Sequence, residues 1–243
     1  MNARPSGFDR LARVYRVLEF AAFGRDLERA RFCLLEHLSG CRDILVLGEG
    51  DGRCLARLVG LAPQARFHCV DASGAMLALA RHRLAAAGRA GPCVRFEHAD
   101  AFSAALAPAH YDAVVTLFFL DCFSTEQVAA LRDRIQASLK PGAAWLFADF
   151  AVPSQGWQRW RARAWLAVLY AFFRWQTNLA AWSLPDSERL LAEAGWRPEA
   201  IREFQGGLVR TVLFQREAVP GTAPGPVFGA TPLSPLARSR NAS

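Results

Sequence analysis

The chain has 243 residues, 52% of them hydrophobic and 21% charged, which makes it globular and long enough for one domain with a full core. Its net charge of +7 comes almost wholly from arginines scattered through predicted helices, so it reads as a solvated basic surface and makes a nucleic-acid partner unexpected. Six cysteines without C-x-x-C or metal-ligand spacing read as reduced core residues of a cytoplasmic protein with no metal site, and neither a signal peptide nor an 18-residue apolar span is apparent.

Residues 8 to 38 carry apolar positions at helical spacing, Leu11, Val14, Tyr15 and Leu18, then Leu27, Ala30 and Leu34, with a break at Phe23-Gly24. Two N-terminal helices are expected. The run Ile44 to Leu47 is too short for a buried helix and is followed by Gly48, Gly50 and Gly52, which reads as a buried parallel strand turning into a helix. Glu49 and Asp51 lie inside that loop. A carboxylate 4 Å from a phosphate oxygen costs ~1 kcal/mol in water and about 4 at the effective dielectric of a protein surface. Two of them argue against a phosphate ligand and for a cofactor with an amino group, a sulfonium and a ribose, which describes S-adenosyl-L-methionine.

The helix from Cys54 to Leu61 ends at Pro63, and Arg66 to Asp71 reads as a second strand ending on an acid. Asp71 follows Gly52 at the spacing of about 20 residues from which a carboxylate reaches ribose hydroxyls. Met76, Ala80 and Leu84 form an apolar helix face, Val94 to Glu97 a third strand leading into Asp100-Ala101, and Tyr111 to Leu117 a fourth. Ligands of open α/β sheets bind at the carboxyl ends of the strands, which here brings in Thr116 and Leu117. A helix with Val128, Leu131, Ile135 and Leu139 on one face stops at Lys140-Pro141-Gly142, a fifth strand covers Ala144 to Ala148, a helix begins at Pro185-Asp186-Ser187, and strands at 199 to 204 and 209 to 216 close the sheet.

The loop Leu47-Gly48-Glu49-Gly50-Asp51-Gly52 resembles the E/D-x-G-x-G motif of the class I S-adenosylmethionine-dependent methyltransferases. Ala12-Arg13-Val14-Tyr15, Asp71-Ala72-Ser73-Gly74-Ala75-Met76-Leu77, Asp100-Ala101, Tyr111-Asp112, Leu139-Lys140-Pro141-Gly142 and Ala194-Gly195-Trp196 are similar to further pieces of that family, in its order. The resemblance covers roughly residues 10 to 216 and implies a Rossmann-like α/β fold. Its sheet would be seven-stranded and mostly parallel with an antiparallel last strand, helices on both faces. It also implies Tyr15 as a lid over the cofactor, Ala72 and Met76 near the adenine, Asp100 and Ala101 at the adenine amino group, and Asp112 as structural. Within the family the likeness is to the small-molecule branch, ubiquinone- and menaquinone-type and phospholipid methyltransferases.

Residues 1 to 217 are expected to form a single methyltransferase domain, and the Pro-, Gly-, Ser- and Ala-rich residues 218 to 243 a disordered tail. Residues 153 to 183 hold five of the seven tryptophans and depart from the minimal fold. A helical aromatic-rich insert is expected there, packed on the sheet edge, lining an acceptor pocket, or touching an anionic membrane through 157 to 175. The acceptor is then small and apolar or aromatic, with the methyl transferred in line to carbon, oxygen or nitrogen. Asp121 and Asp149 are the candidate catalytic bases by position, with His110 behind them. The rival reading is a non-catalytic S-adenosylmethionine-binding or membrane-associated module.

Overall fold

In the computed structural model, residues 25–88, 93–151 and 184–216 are described. The expected lid at Tyr15, the tryptophan-rich insert and the tail therefore lie outside the described residues. Five apolar runs give parallel strands β1 (Asp43–Leu47), β2 (Arg66–Asp71), β3 (Val94–His98), β4 (Tyr111–Leu117) and β5 (Leu139–Phe150). With β6 (Trp196–Phe204) and β7 (Val209–Arg216) they form one sheet in the order β3-β2-β1-β4-β5-β7-β6, and β7 runs antiparallel to both neighbours. The expected mostly parallel sheet with an antiparallel last strand is what forms.

Both faces of the sheet are buried because alternate residues serve opposite cores. Ile44 and Val46 pack with Leu55, Leu58, Leu77 and Leu84 on α2 (Arg53–Leu61) and α3 (Gly74–Ala86). Leu45 and Leu47 pack on the other side with Val128, Leu131 and Ile135 of α4 (Thr125–Ser138) and Leu190 and Leu191 of α5 (Ser187–Glu193). Met76 is not part of its helix's buried stripe, which is Leu77, Ala80 and Leu84. No helix of the described residues is long and apolar enough to cross a membrane.

Three local expectations need correction. The second N-terminal helix divides into α1 (Asp26–Phe32) and a 3-10 turn at Leu35–Leu38. The division lets Leu27 and Ala30 pack against Phe150 and Val209 while Leu34, Leu35 and Leu38 join the core under β1. The Lys140-Pro141-Gly142 stretch is no separate turn: β5 begins at Leu139 directly after α4, with a register shift before Ala144 and Gly142 at φ 73. Finally, Cys41, Cys54 and Cys69 are buried as expected of core thiols, but Cys33 and Cys122 are exposed.

The amino ends of β1, β2 and β4 are tied by charge. Asp112 accepts hydrogen bonds from the backbone N–H of Arg42 and Asp43, each 2.9 Å, and from Lys140 Nζ at 2.8 Å. Arg66 grips Asp43 through Nε and Nη2 at 2.8 and 3.0 Å. Asp112 is thus structural. His110 is here too, 3.7 Å from Asp43, at the end of the sheet opposite the carboxyl ends, which removes it from the neighbourhood of the candidate bases.

Candidate functional site

The carboxyl ends of β1 and β4, the glycine loop between β1 and α2, and α1 line a cleft of ≈ 190 Å³. Arg31, Gly48, Glu49, Asp51, Met76 and Phe118 are among its lining residues. Gly48, Gly50 and Gly52 all have left-handed backbones, φ 65, 69 and 84. At Gly48 a Cβ would stand 2.2 Å from the Phe119 ring, and at Gly52 it would stand 2.5 Å from the Ala80 backbone. The first glycine lets β4's aromatic end close on the loop, and the last lets α3 pack against it.

The two loop carboxylates have different fates. Asp51 is neutralised: Arg53 Nε donates to its carboxylate at 3.1 Å, and Arg83 donates to its carboxylate at 3.0 Å and its main-chain oxygen at 2.9 Å. Glu49 turns back and accepts the Leu55 N–H at 2.9 Å, capping the first turn of α2. Burial, with the Asp51 charge adding to it, pushes the Glu49 carboxyl up to about 8 against those backbone donors. A phosphate on this loop would have to displace Glu49 from the helix terminus. Glu49 therefore opposes a phosphate by its position, whereas Asp51 does not, its charge being met by two guanidiniums.

Asp71 anchors the loop. Its carboxylate accepts from the Gly50 N–H at 3.1 Å and the Ser73 N–H at 2.8 Å, and burial raises its pKa. Ala72 is exposed, and its carbonyl accepts from His98 Nε2 at 3.0 Å. Asp100 caps its own turn by accepting the Phe102 N–H at 2.8 Å, and Ala101 packs below it, 8% exposed. Leu117 lines the cleft. Thr116 does not turn toward it: the residue is 1% exposed and its hydroxyl accepts the Trp145 indole N–H at 2.8 Å.

Two residues of the cleft went unmarked in the sequence reading. Arg31 reaches it from α1 and stands over the Phe118 ring, 4.7 Å from its centroid. Phe118 itself has φ 55, a conformation rare outside glycine, and tilts against Phe150 at 5.4 Å. Beyond them the structure brings Asp121 and Asp149 together. The Asp121 N–H donates to Asp149 Oδ2 at 3.0 Å, and the side chains are hydrogen-bonded to each other. Burial raises both carboxyls, Asp149 (2% exposed) the more strongly, since it also faces the Asp121 charge. Two carboxyls in contact share one proton, and the more buried one keeps it.

Residues fitting S-adenosylmethionine are therefore present: Glu49 for a cation and Arg31 for a carboxylate. The family model described as a methyltransferase domain matches residues 44–142. No curated protein matches the chain in sequence. Among solved structures it is similar to the mitomycin 7-O-methyltransferase MmcR, with 20% identity, 79% of this chain and 54% of that chain covered, and a TM-score of 0.59. It is also similar to the apo S-adenosylmethionine-dependent methyltransferase SibL, with 22% identity, 88% and 60% coverage, and a TM-score of 0.60. A third is the Burkholderia thailandensis 1,6-didemethyltoxoflavin-N1-methyltransferase, with 18% identity, 89% and 92% coverage, and a TM-score of 0.57; its structure holds 1,6-didemethyltoxoflavin and S-adenosylhomocysteine. The chain spans only 54% and 60% of the first two, and identities this low carry the fold alone.

Proposed function

We propose that the chain carries a class I S-adenosylmethionine-dependent methyltransferase domain, a reading supported by the methyltransferase-domain match over residues 44–142, and that it methylates a small apolar or aromatic molecule. The observation that carries the reading is the cleft at the glycine loop, where a carboxyl and a guanidinium, those of Glu49 and Arg31, face one space. S-adenosylmethionine is zwitterionic at its amino-acid end, so Glu49 serves its ammonium and Arg31 its carboxylate. Asp71, fixed on the Gly50 N–H, serves the ribose, with Met76, Asp100 and Ala101 toward the adenine.

When bound, the cofactor would supply a sulfonium methyl for an acceptor lone pair to attack, with the C–S electron pair leaving on sulfur. The protein's work is alignment, exclusion of water and removal of one proton. Asp121 takes that proton, and Asp149 orients it, its own oxygens being held by the Asp121 and Phe150 N–H groups.

Calorimetry with S-adenosylmethionine tests the donor: Asp71→Ala, which frees the Gly50 N–H, abolishes binding, and unchanged affinity refutes the assignment. Methyl-labelled cofactor with quinol, phenol and lipid-amine acceptors tests the reaction. Asp121→Asn should lower turnover by about 10²–10⁴ with cofactor affinity unchanged. Binding without turnover of any acceptor would leave the non-catalytic module.

A further inference from the structure

The turn after β3 is closed on itself at its start and held from outside at its far end. Asp100 opens it, its carbonyl accepting the N–H of Ser103 and Ala104, each 2.9 Å, and its carboxylate accepting that of Phe102. One carboxylate oxygen closes the turn, so the other is left for a ligand. At the far end the carbonyls of Ala101 and Ala104 have both gained a donor from α4: Arg134 Nε reaches the first at 3.2 Å, and its Nη2 reaches the second. The turn gives the Ala104 carbonyl only the Leu106 N–H, at 3.0 Å, and one planar guanidinium adds a donor to both carbonyls. The next residue is fixed as well, since the Ala105 N–H donates to Glu97 Oε1 at 3.0 Å. Glu97 is in turn held by His68 at 2.9 Å and Arg95 at 2.7 Å.

We propose that Arg134, which touches no ligand, is the positioning residue for purine recognition, because it sets the turn that presents Asp100. The inference rests on the reading of Asp100 as the partner of the adenine 6-amino group. Without Arg134 the Ala101 carbonyl turns toward water and the Ala104 carbonyl keeps only the Leu106 N–H, so the turn loosens and the direction of the Asp100 carboxylate is lost while the glycine loop, Asp71 and Glu49 stay in place. The loss therefore falls on discrimination at the base.

Calorimetry separates the two ideas with S-adenosylhomocysteine and its analogue whose purine lacks the 6-amino group. The wild-type chain should prefer the first by about tenfold, as expected for a hydrogen bond to a charged group. Asp100→Ala should bring the ratio near one, Arg134→Met should bring it below about threefold, and Arg134→Lys, able to reach one carbonyl, should fall between. A tenfold ratio kept by Asp100→Ala overturns the reading of Asp100 and the inference with it. A ratio lost in Asp100→Ala but kept in Arg134→Met overturns the inference alone. If Arg134→Met does not fold, Arg134→Lys decides: an intermediate ratio supports the role, and a wild-type ratio refutes it.

Discussion

Replacing Glu49 with glutamine removes the cleft's acidic charge while keeping an oxygen for the Leu55 N–H, so it isolates electrostatics from capping. In the ligand-free chain this carboxyl titrates near 8, and a bound ammonium favours its ionised form. Affinity should therefore rise with pH on the acid side of 8. The cofactor's α-amino group, itself of pKa about 7.7–8.0, loses its charge above that point, so binding peaks near pH 8. With both groups at about 8, the competent fraction falls about 25-fold between pH 8 and pH 6, and at pH 7 binding releases about 0.8 proton. Titration in buffers of different ionisation enthalpy measures both quantities. In Glu49→Gln the acid limb and the proton release should vanish. An affinity flat from pH 6 to 8 in the wild type, or the same acid limb in the variant, refutes the pairing of Glu49 with the cofactor.

The same group predicts a stability cost of the opposite pH sense. Its folded value lies above the usual 4.5, so the ligand-free protein loses stability as pH rises from about 4.5 to about 8, by as much as about 5 kcal/mol. Thermal melts should show Glu49→Gln more stable than wild type at pH 8.5 and equal at pH 4. Gly48→Ala combines a left-handed backbone with a Cβ 2.2 Å from Phe119 and should cost about 2–4 kcal/mol, partly restored by Phe119→Ala; Gly50→Ala meets no atom within 4 Å and should cost about 1. Arg83→Met frees the Asp51 charge beside Glu49, so the acid limb of binding should move to higher pH, weakening affinity at pH 7 about threefold. Thr116→Val should cost about 1–3 kcal/mol by leaving the buried Trp145 N–H without its acceptor, and leave cofactor affinity unchanged.

Strands buried on both faces announce themselves, which is why Ile44–Leu47 and Tyr111–Leu117 could be read directly. The edge strand was harder: β6 begins at Trp196, three residues earlier than the apolar pattern suggests, because most of its side chains are exposed and Pro198 sits at a register shift. At the site, the glycines and Asp71 were legible because spacing along the chain determines them. Arg31 was not, since a cleft-facing arginine and a solvated one look alike on a helix. Nor could local sequence show that Asp51 is neutralised by Arg83, 32 residues away, or that the Thr116 hydroxyl faces a tryptophan. Those depend on which elements the sheet order makes neighbours.

The charge knot at the amino ends of β1 and β4 offers a use unrelated to catalysis. Lys140 is the only lysine in the chain, and its ammonium is gripped by Asp112 and, at 3.4 Å, by Asp43. Those carboxylates keep it protonated and hence a poor nucleophile. An amine-directed reagent therefore reads, at one internal position, how often the Lys140 ammonium leaves those two carboxylates. The wild-type chain carries its own single-site probe of that charge knot, placed at the end of the sheet away from the glycine loop.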